Sequence, residues 1–276
     1  MLSEQIVPQR ITYVNGYGIR YLDYDNILHK TNDDENFLIL LHGIGASAER
    51  WMLVAPALSK HFRVIVPDII GFGYSDKPTV EYTIDFFMDF LGGFLENLHI
   101  HTPNIIGSSL GGYLATEFAI RFNTRVKKLI LAAPAGIMRS STNVLDQYIM
   151  AALYPTYENA LRAFMDMAFD PSVVTEKTVR DFVNRMRLPN AKYAFMSTLL
   201  GMRDGPKLSD RLSKILAPTL LIWGDKDNMI PLQYSTEFTK IPDNSLIVMN
   251  DCGHTPYVEN PVVFNQSILK FLVKNP

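Results

Sequence analysis

Asn104-Ile-Ile-Gly-Ser-Ser-Leu-Gly-Gly112 is the stretch on which the reading of the fold turns. Asn104 to Ile106 reads as a short buried strand, and residues 110–122 read as a helix. Between them, Gly107-Ser108-Ser109-Leu110-Gly111 fits G-x-S-x-G with Ser109 at its centre. The pattern by itself is weak, since a glycine turn with a serine helix cap satisfies it equally well. Its context gives it chemical meaning. A tight strand-to-helix turn lifts the serine hydroxyl out of the sheet. Flanking glycines let neighbouring backbone approach, and the first N–H groups of the helix face developing negative charge.

Outward from this point, strand and helix patterns alternate. Upstream, residues 10–14 and 19–24 read as two β runs joined at Asn15-Gly16, and the polar stretch 29–36 reads as a loop. Residues 37–41 form a continuous apolar run that ends at His42-Gly43, the mark of a strand buried on both faces. Residues 48–58 read as a helix, and residues 63–66 as a strand stopped by Pro67-Asp68. Thr83 is placed to cap a helix whose stripe is Phe87, Phe90, Leu91, Phe94, Leu95 and Leu98. Residues 126–132 give another strand. From 137 to 206 only amphipathic helices are found. The alternation then resumes with strands at 219–223 and 245–249 and helices at 232–238 and 261–273.

This rhythm predicts an α/β fold, a mostly parallel sheet covered by helices on both faces. Residues 1–136 and 207–276 form the two parts of the core, and 137–206 an inserted helical cap.

Composition sets the outer bounds. The chain has 276 residues, 47% apolar and 20% charged, with a formal charge of −2, which is ordinary for a globular protein. No broad basic face suggests nucleic acid. No apolar run is long enough to span a bilayer, and the amino-terminal residues do not read as a secretory signal. The single cysteine, Cys252, has no internal partner, so a cytoplasmic protein is expected.

A nucleophilic serine needs a base, and the base needs an acid to orient it. Of the six histidines, His254 lies just past the last strand, in Asp251-Cys252-Gly253-His254. His42 ends an earlier strand and is expected to play a supporting role. His99 and His101 form an H-x-H pair with no acid close behind, so a solvated loop is expected rather than a metal site. Trp223-Gly-Asp-Lys-Asp227 offers two acids, Asp225 and Asp227. For the oxyanion, the N–H of Leu110 follows the nucleophile, and the N–H of Ile44 lies in His42-Gly43-Ile44-Gly45.

With these segments in order, the chain resembles the α/β-hydrolase family over nearly its whole length. Leu41-His-Gly-Ile-Gly45 is similar to the family's oxyanion segment, and Pro67-Asp-Ile-Ile-Gly-Phe-Gly-Tyr-Ser-Asp-Lys-Pro78 to its D-x-x-G-x-G-x-S-x-x-P stretch. Trp223 to Pro231 resembles its acid segment and Gly253 to Pro261 its histidine segment. The resemblance implies an eight-stranded sheet and a catalytic set of Ser109, Asp227 and His254, with Asp225 left as a turn residue. It implies no cofactor and no metal.

Within the family the chain looks closest to carboxylesterases and meta-cleavage product hydrolases. It carries Ser108 where the latter usually have Asn, and Thr255 where they usually have Trp. Arg185 and Arg187 lie in the cap. Serine at 109 sets it apart from haloalkane dehalogenases and epoxide hydrolases, which use Asp there.

The activity so implied is hydrolysis of small, largely apolar esters or lactones through an acyl-enzyme. Carbon–carbon bond hydrolysis and a ligand receptor on the same fold are the alternatives. The expected partner is a small ester-like molecule, and the oligomeric state is left open. The cap is expected to move, to contribute no catalytic residue, and to line the pocket with Phe164, Met165, Met138 and Phe195.

Overall fold

The structure, a computed structural model, describes residues 7–25 and 37–273. The expected loop at 29–36 lies outside them.

The strands are β1 (Gln9–Val14), β2 (Tyr17–Tyr24), β3 (Phe37–Leu41), β4 (Arg63–Pro67), β5 (Asn104–Ser108), β6 (Leu129–Ala132), β7 (Thr219–Gly224) and β8 (Asn244–Met249). They form one eight-stranded sheet in the order β1-β2-β4-β3-β5-β6-β7-β8. The β1–β2 and β2–β4 pairings are antiparallel, and the rest are parallel. Asn15 and Gly16 both take positive φ, 50° and 84°, which lets a two-residue turn close the first hairpin with the twist of its strands.

The continuous apolar runs are explained by two cores, one on each face of the sheet. Along β3, Ile39 and Leu41 feed one core while Leu38 and Leu40 feed the other. The first core is closed by α2 (Ile84–Asn97) and α3 (Leu110–Arg121), through Phe87, Phe94, Leu114 and Phe118. The second is closed by α1 (Ala55–Leu58) and by α9 (Pro261–Val273), which follows the short α8 (Pro256–Glu259). Thr83 caps α2 as expected, its side chain accepting from Phe86 N–H.

Two expected helices differ in detail. The segment 48–58 splits into a 3-10 turn at Ala48–Trp51 and a separate α1, because Pro56 has no N–H and its ring obstructs the preceding turn. Residues Leu232–Lys240 form 3-10 turns rather than an α-helix.

Between β6 and β7 the described chain makes α4 (Asn143–Leu153), α5 (Tyr157–Met167), α6 (Glu176–Met186) and α7 (Ala191–Asp204), and no strand. Thr142, Thr156 and Thr175 cap α4, α5 and α6, each accepting a hydrogen bond from the N–H three residues on. α7 docks tightly on the segment before α2. A Cβ on Gly201 would stand 2.2 Å from Tyr82 O, and Tyr82 N–H donates to Ser197 Oγ at 2.9 Å.

Candidate active site

The carboxyl ends of β3, β5, β7 and β8 converge, as expected for a site in a parallel sheet. Ser109 sits between β5 and α3 with φ 52° and ψ −115°, a backbone conformation that costs roughly 1–3 kcal/mol for a non-glycine residue. Its surroundings enforce it. Ser109 N–H donates to Ala132 O at 3.1 Å, and its carbonyl accepts from Tyr113 N and Ala135 N, both at 3.0 Å. The neighbouring glycines are needed for space. A Cβ on Gly107 would meet Gly111 O at 2.3 Å, and one on Gly111 would meet Leu41 O at 2.2 Å.

His254 and Asp227 are both buried, and His254 Nδ1 lies 2.8 Å from Asp227 Oδ2. Asp227 Oδ1 accepts from Met229 N and Ile230 N at 2.9 and 2.8 Å. The carboxylate is thus fixed by backbone on one oxygen and free to orient the imidazole with the other. Asp225 pairs instead with Lys226, at 2.6 Å, on the outer side of the turn. Ser109 and His254 line one cavity without a hydrogen bond between them, a contact that commonly tightens only when substrate is bound.

The oxyanion segment lies against the serine: a Cβ on Gly43 would stand 3.4 Å from Ser109 Cβ. Leu110 opens α3, so its N–H is among the first of that helix and has no acceptor one turn back. The Gly43–Ile44 peptide, which carries the Ile44 N–H, is held at its carbonyl by His42 Nδ1 at 2.8 Å and Ala46 N at 3.2 Å. His42 Nε2 receives the N–H of Ile69 at 3.0 Å, so Nε2 must be the unprotonated nitrogen and Nδ1 the donor.

His42 is therefore a neutral strut, and burial pushes its pKa below the ordinary 6.5. The unfolded chain takes up this proton first as pH falls, so His42 contributes stability that is present above pH 6.5 and lost below it. In histidine-resolved NMR, the His42 ring is expected to stay neutral at pH 6, below the ordinary value of a free imidazole. A His42 that titrates at or above 6.5 would refute the strut.

The D-x-x-G-x-G-x-S stretch proves to be a scaffold for this corner. Asp68 accepts from Ala48 N, Tyr74 N and Arg20, while Ser75 Oγ donates back to Asp68 O.

The cavity above Ser109 is about 40 Å³, room for roughly three waters. Its roof is the helical segment. Phe164 lines it as expected; Met165, Met138 and Phe195 do not. Met165 is 41% exposed, because neighbouring residues on a helix point about 100° apart and α5 turns Phe164 inward instead. Met138 packs against the main core, and Phe195 is fully buried behind the cavity wall.

The residues that do line the roof fall at helical spacing: Phe164 and Met167 on α5, and Thr178, Phe182 and Arg185 on α6. That i, i+4, i+7 face was present in the sequence, but a count of Met and aromatic residues does not find it. Arg185 is 6% exposed, its Nε has no hydrogen-bond partner, and no carboxylate pairs with it among the described residues. Ser108 Oγ is likewise buried without a partner in the same cavity.

A profile of the alpha/beta hydrolase fold matches residues 36–165 and 175–261. The chain belongs to this family. This α/β-hydrolase is 31% identical over 247 residues to 2-hydroxy-6-oxo-2,4-heptadienoate hydrolase of Pseudomonas putida, covering 86% of this chain and 89% of that protein. It is equally 31% identical to 2-hydroxymuconate semialdehyde hydrolase of a Pseudomonas species, over 86% and 87% of the two chains. A variant of the meta-cleavage product hydrolase of Pseudomonas fluorescens superposes with a TM-score of 0.84 at 28% identity, covering 97% of this chain and 98% of that one. Among the described residues no helix is long and apolar enough to cross a membrane, and no cluster of three acid, His or Cys side chains could hold a metal ion.

Proposed function

We propose that this α/β-hydrolase cleaves a carbon–carbon bond in a small oxo-dienoic acid, of the kind named for its relatives. The observation that carries the reading is Arg185. A guanidinium buried without a carboxylate is costly, by several kcal/mol, unless a ligand supplies the anion. In the roof of the cavity above Ser109 that anion would be the substrate's own carboxylate. A simple apolar ester, the main expectation from sequence, leaves this charge unanswered.

The chemistry follows from the geometry. Asp227 holds His254 by Nδ1, leaving Nε2 to take the proton of Ser109 as its oxygen adds to the ketone carbon. The tetrahedral oxyanion faces the N–H groups of Ile44 and Leu110. A carbon leaving group departs only if its electron pair is delocalised. The 2-hydroxy-dienoate therefore reacts from its keto form, made when the enol proton leaves oxygen and the carbon next to the ketone is protonated. The pair from the broken carbon–carbon bond then delocalises through the remaining alkene onto the 2-oxo oxygen, and protonation of that dienolate completes the first product. Arg185 holds the carboxylate end and so keeps the chain aligned for this delocalisation. Water then enters with His254 as base and releases the acid from Ser109.

The test compares 2-hydroxy-6-oxo-hepta-2,4-dienoate with nitrophenyl acetate. Arg185→Gln is expected to lower kcat/KM on the dienoate by roughly 30- to 1,000-fold, the loss typical of breaking a buried charge pair. The same variant should stay within about threefold of wild type on the acetate, which has no carboxylate to hold. Equal losses on both, or no cleavage of the dienoate by wild type, would remove the proposal and return the reading to ester hydrolysis.

A further inference from the structure

The oxyanion loop touches the helical roof at one buried hydrogen bond. Tyr148, on α4, donates its hydroxyl to Ile44 O at 2.7 Å. Tyr148 is 6% exposed, and burial raises its pKa, so the hydroxyl remains a donor. Ile44 contributes both groups that matter here: its N–H is the candidate oxyanion donor and its C=O is the acceptor of this bond. The two peptide planes on either side of Ile44 are held from different parts of the molecule. His42 and Ala46, both in the core, hold the Gly43–Ile44 plane. Tyr148, in the helical segment, holds the Ile44–Gly45 plane.

The next residue is shaped to the same contact. Gly45 has φ +69°, and a Cβ there would stand 3.2 Å from each of Phe182, Phe195 and the Tyr148 hydroxyl. The Tyr148 ring is fixed in turn by Phe182 and Phe195, at centroid distances of 5.4 and 6.1 Å.

We infer that Tyr148 is a positioning residue that makes the oxyanion hole depend on the seating of the helical segment over the site. When α4 is seated, the hydroxyl fixes the Ile44–Gly45 plane and so restrains rotation about Ile44, adding to the hold that His42 and Ala46 have on the plane of the Ile44 N–H. When α4 lifts, that restraint is gone and the Ile44 N–H keeps only its hold from the core side, through His42 and Ala46. The inference rests on the assignment of Ser109 and Ile44 given above and holds whether the bond cleaved is carbon–carbon or ester.

Tyr148→Phe removes only the oxygen and keeps the ring. On nitrophenyl acetate its kcat should fall about 10- to 100-fold, part of the 10²–10³ that removing an oxyanion donor costs. KM should change less than about threefold, because the bond acts on the developing oxyanion and not on the bound ground state. Phosphonylation by a fluorophosphonate develops the same oxygen charge, so its rate should fall by a similar factor.

Gly45→Ala approaches the contact from the other side, crowding the loop off Tyr148. It should show the same split, a lower kcat at little-changed KM, and it carries the test if Tyr148→Phe does not fold. A Tyr148→Phe enzyme with wild-type kcat and labelling rate, or one impaired through KM alone, would overturn the inference. Wild-type labelling on a residue other than Ser109 would instead overturn the underlying site assignment, which keeps the two failures apart.

Discussion

Ser109→Ala is expected to abolish turnover, by about 10⁴- to 10⁶-fold in kcat, while the protein stays folded. The hydroxyl is the only atom removed, and Ser109 makes its structural bonds through its backbone: to Ala132 O, Tyr113 N and Ala135 N. None of these depends on the side chain, so the thermal midpoint should hold. Some rate above the uncatalysed reaction should survive, because the Ile44 and Leu110 N–H groups and the Arg185 guanidinium are untouched. Covalent labelling by an organophosphonate should vanish altogether. Labelling that persists at an unchanged rate in the alanine variant would show that another nucleophile does the work.

Asp227→Asn should cost about 10⁴-fold in kcat, whereas Asp225→Asn should stay within about threefold of wild type. The difference lies in hydrogen-bond accounting at the carboxylate. Oδ1 of Asp227 is committed to two backbone N–H donors, Met229 and Ile230. An asparagine must keep its oxygen there, because an NH₂ facing two N–H groups would be repelled. Its NH₂ is then turned toward His254 Nδ1, where the carboxylate had accepted. His254 is forced to carry its proton on Nε2, facing Ser109, and can no longer receive one. Asp225 has no such link to His254, and its carboxylate pairs with Lys226 instead. Steady-state rates on one substrate decide the matter: equal losses, or the reverse order, would transfer the orienting role to Asp225.

The fold was legible because its strongest signals are local. β3 and β5 are runs of apolar residues that end in glycine or serine turns, and the break in alternation after 136 marks where the sheet is interrupted by helices. The positions of Ser109, Asp227 and His254 follow from strand ends, which a sequence displays directly. The roof of the cavity does not. Whether Phe164 or Met165 faces inward depends on how α5 is rolled against its neighbours, a tertiary choice that composition leaves open. Phe195 is apolar and near the site, yet it packs behind Gly45 instead of lining the cavity. Arg185 was visible as a residue of the helical block, but its lack of a partner is a property of the folded molecule alone. That missing partner, together with relatives named for dienoate and semialdehyde hydrolysis, shifts the functional reading from esters toward carbon–carbon bonds.

The helices over the site are not tethered alike. α5 is bound at its end to the histidine loop, where His254 N–H donates to Met167 O at 3.1 Å and Phe169 N–H to Glu259 at 2.8 Å. α7 is held at Tyr82, and α4 at Ile44. α6 differs: its side-chain hydrogen bonds, Lys177 to Asp181 and Arg180 to Glu176, run along its own surface, and none reaches the sheet among the described residues. Of the layers over the cavity, α6 is the one with no side-chain hydrogen bond to the catalytic loops among the described residues. It is also the layer that carries Arg185. On the function proposed above, the helix that would hold the substrate's carboxylate is thus also the one with no side-chain bond to the catalytic loops, so that recognising the substrate and closing over it would fall to one element.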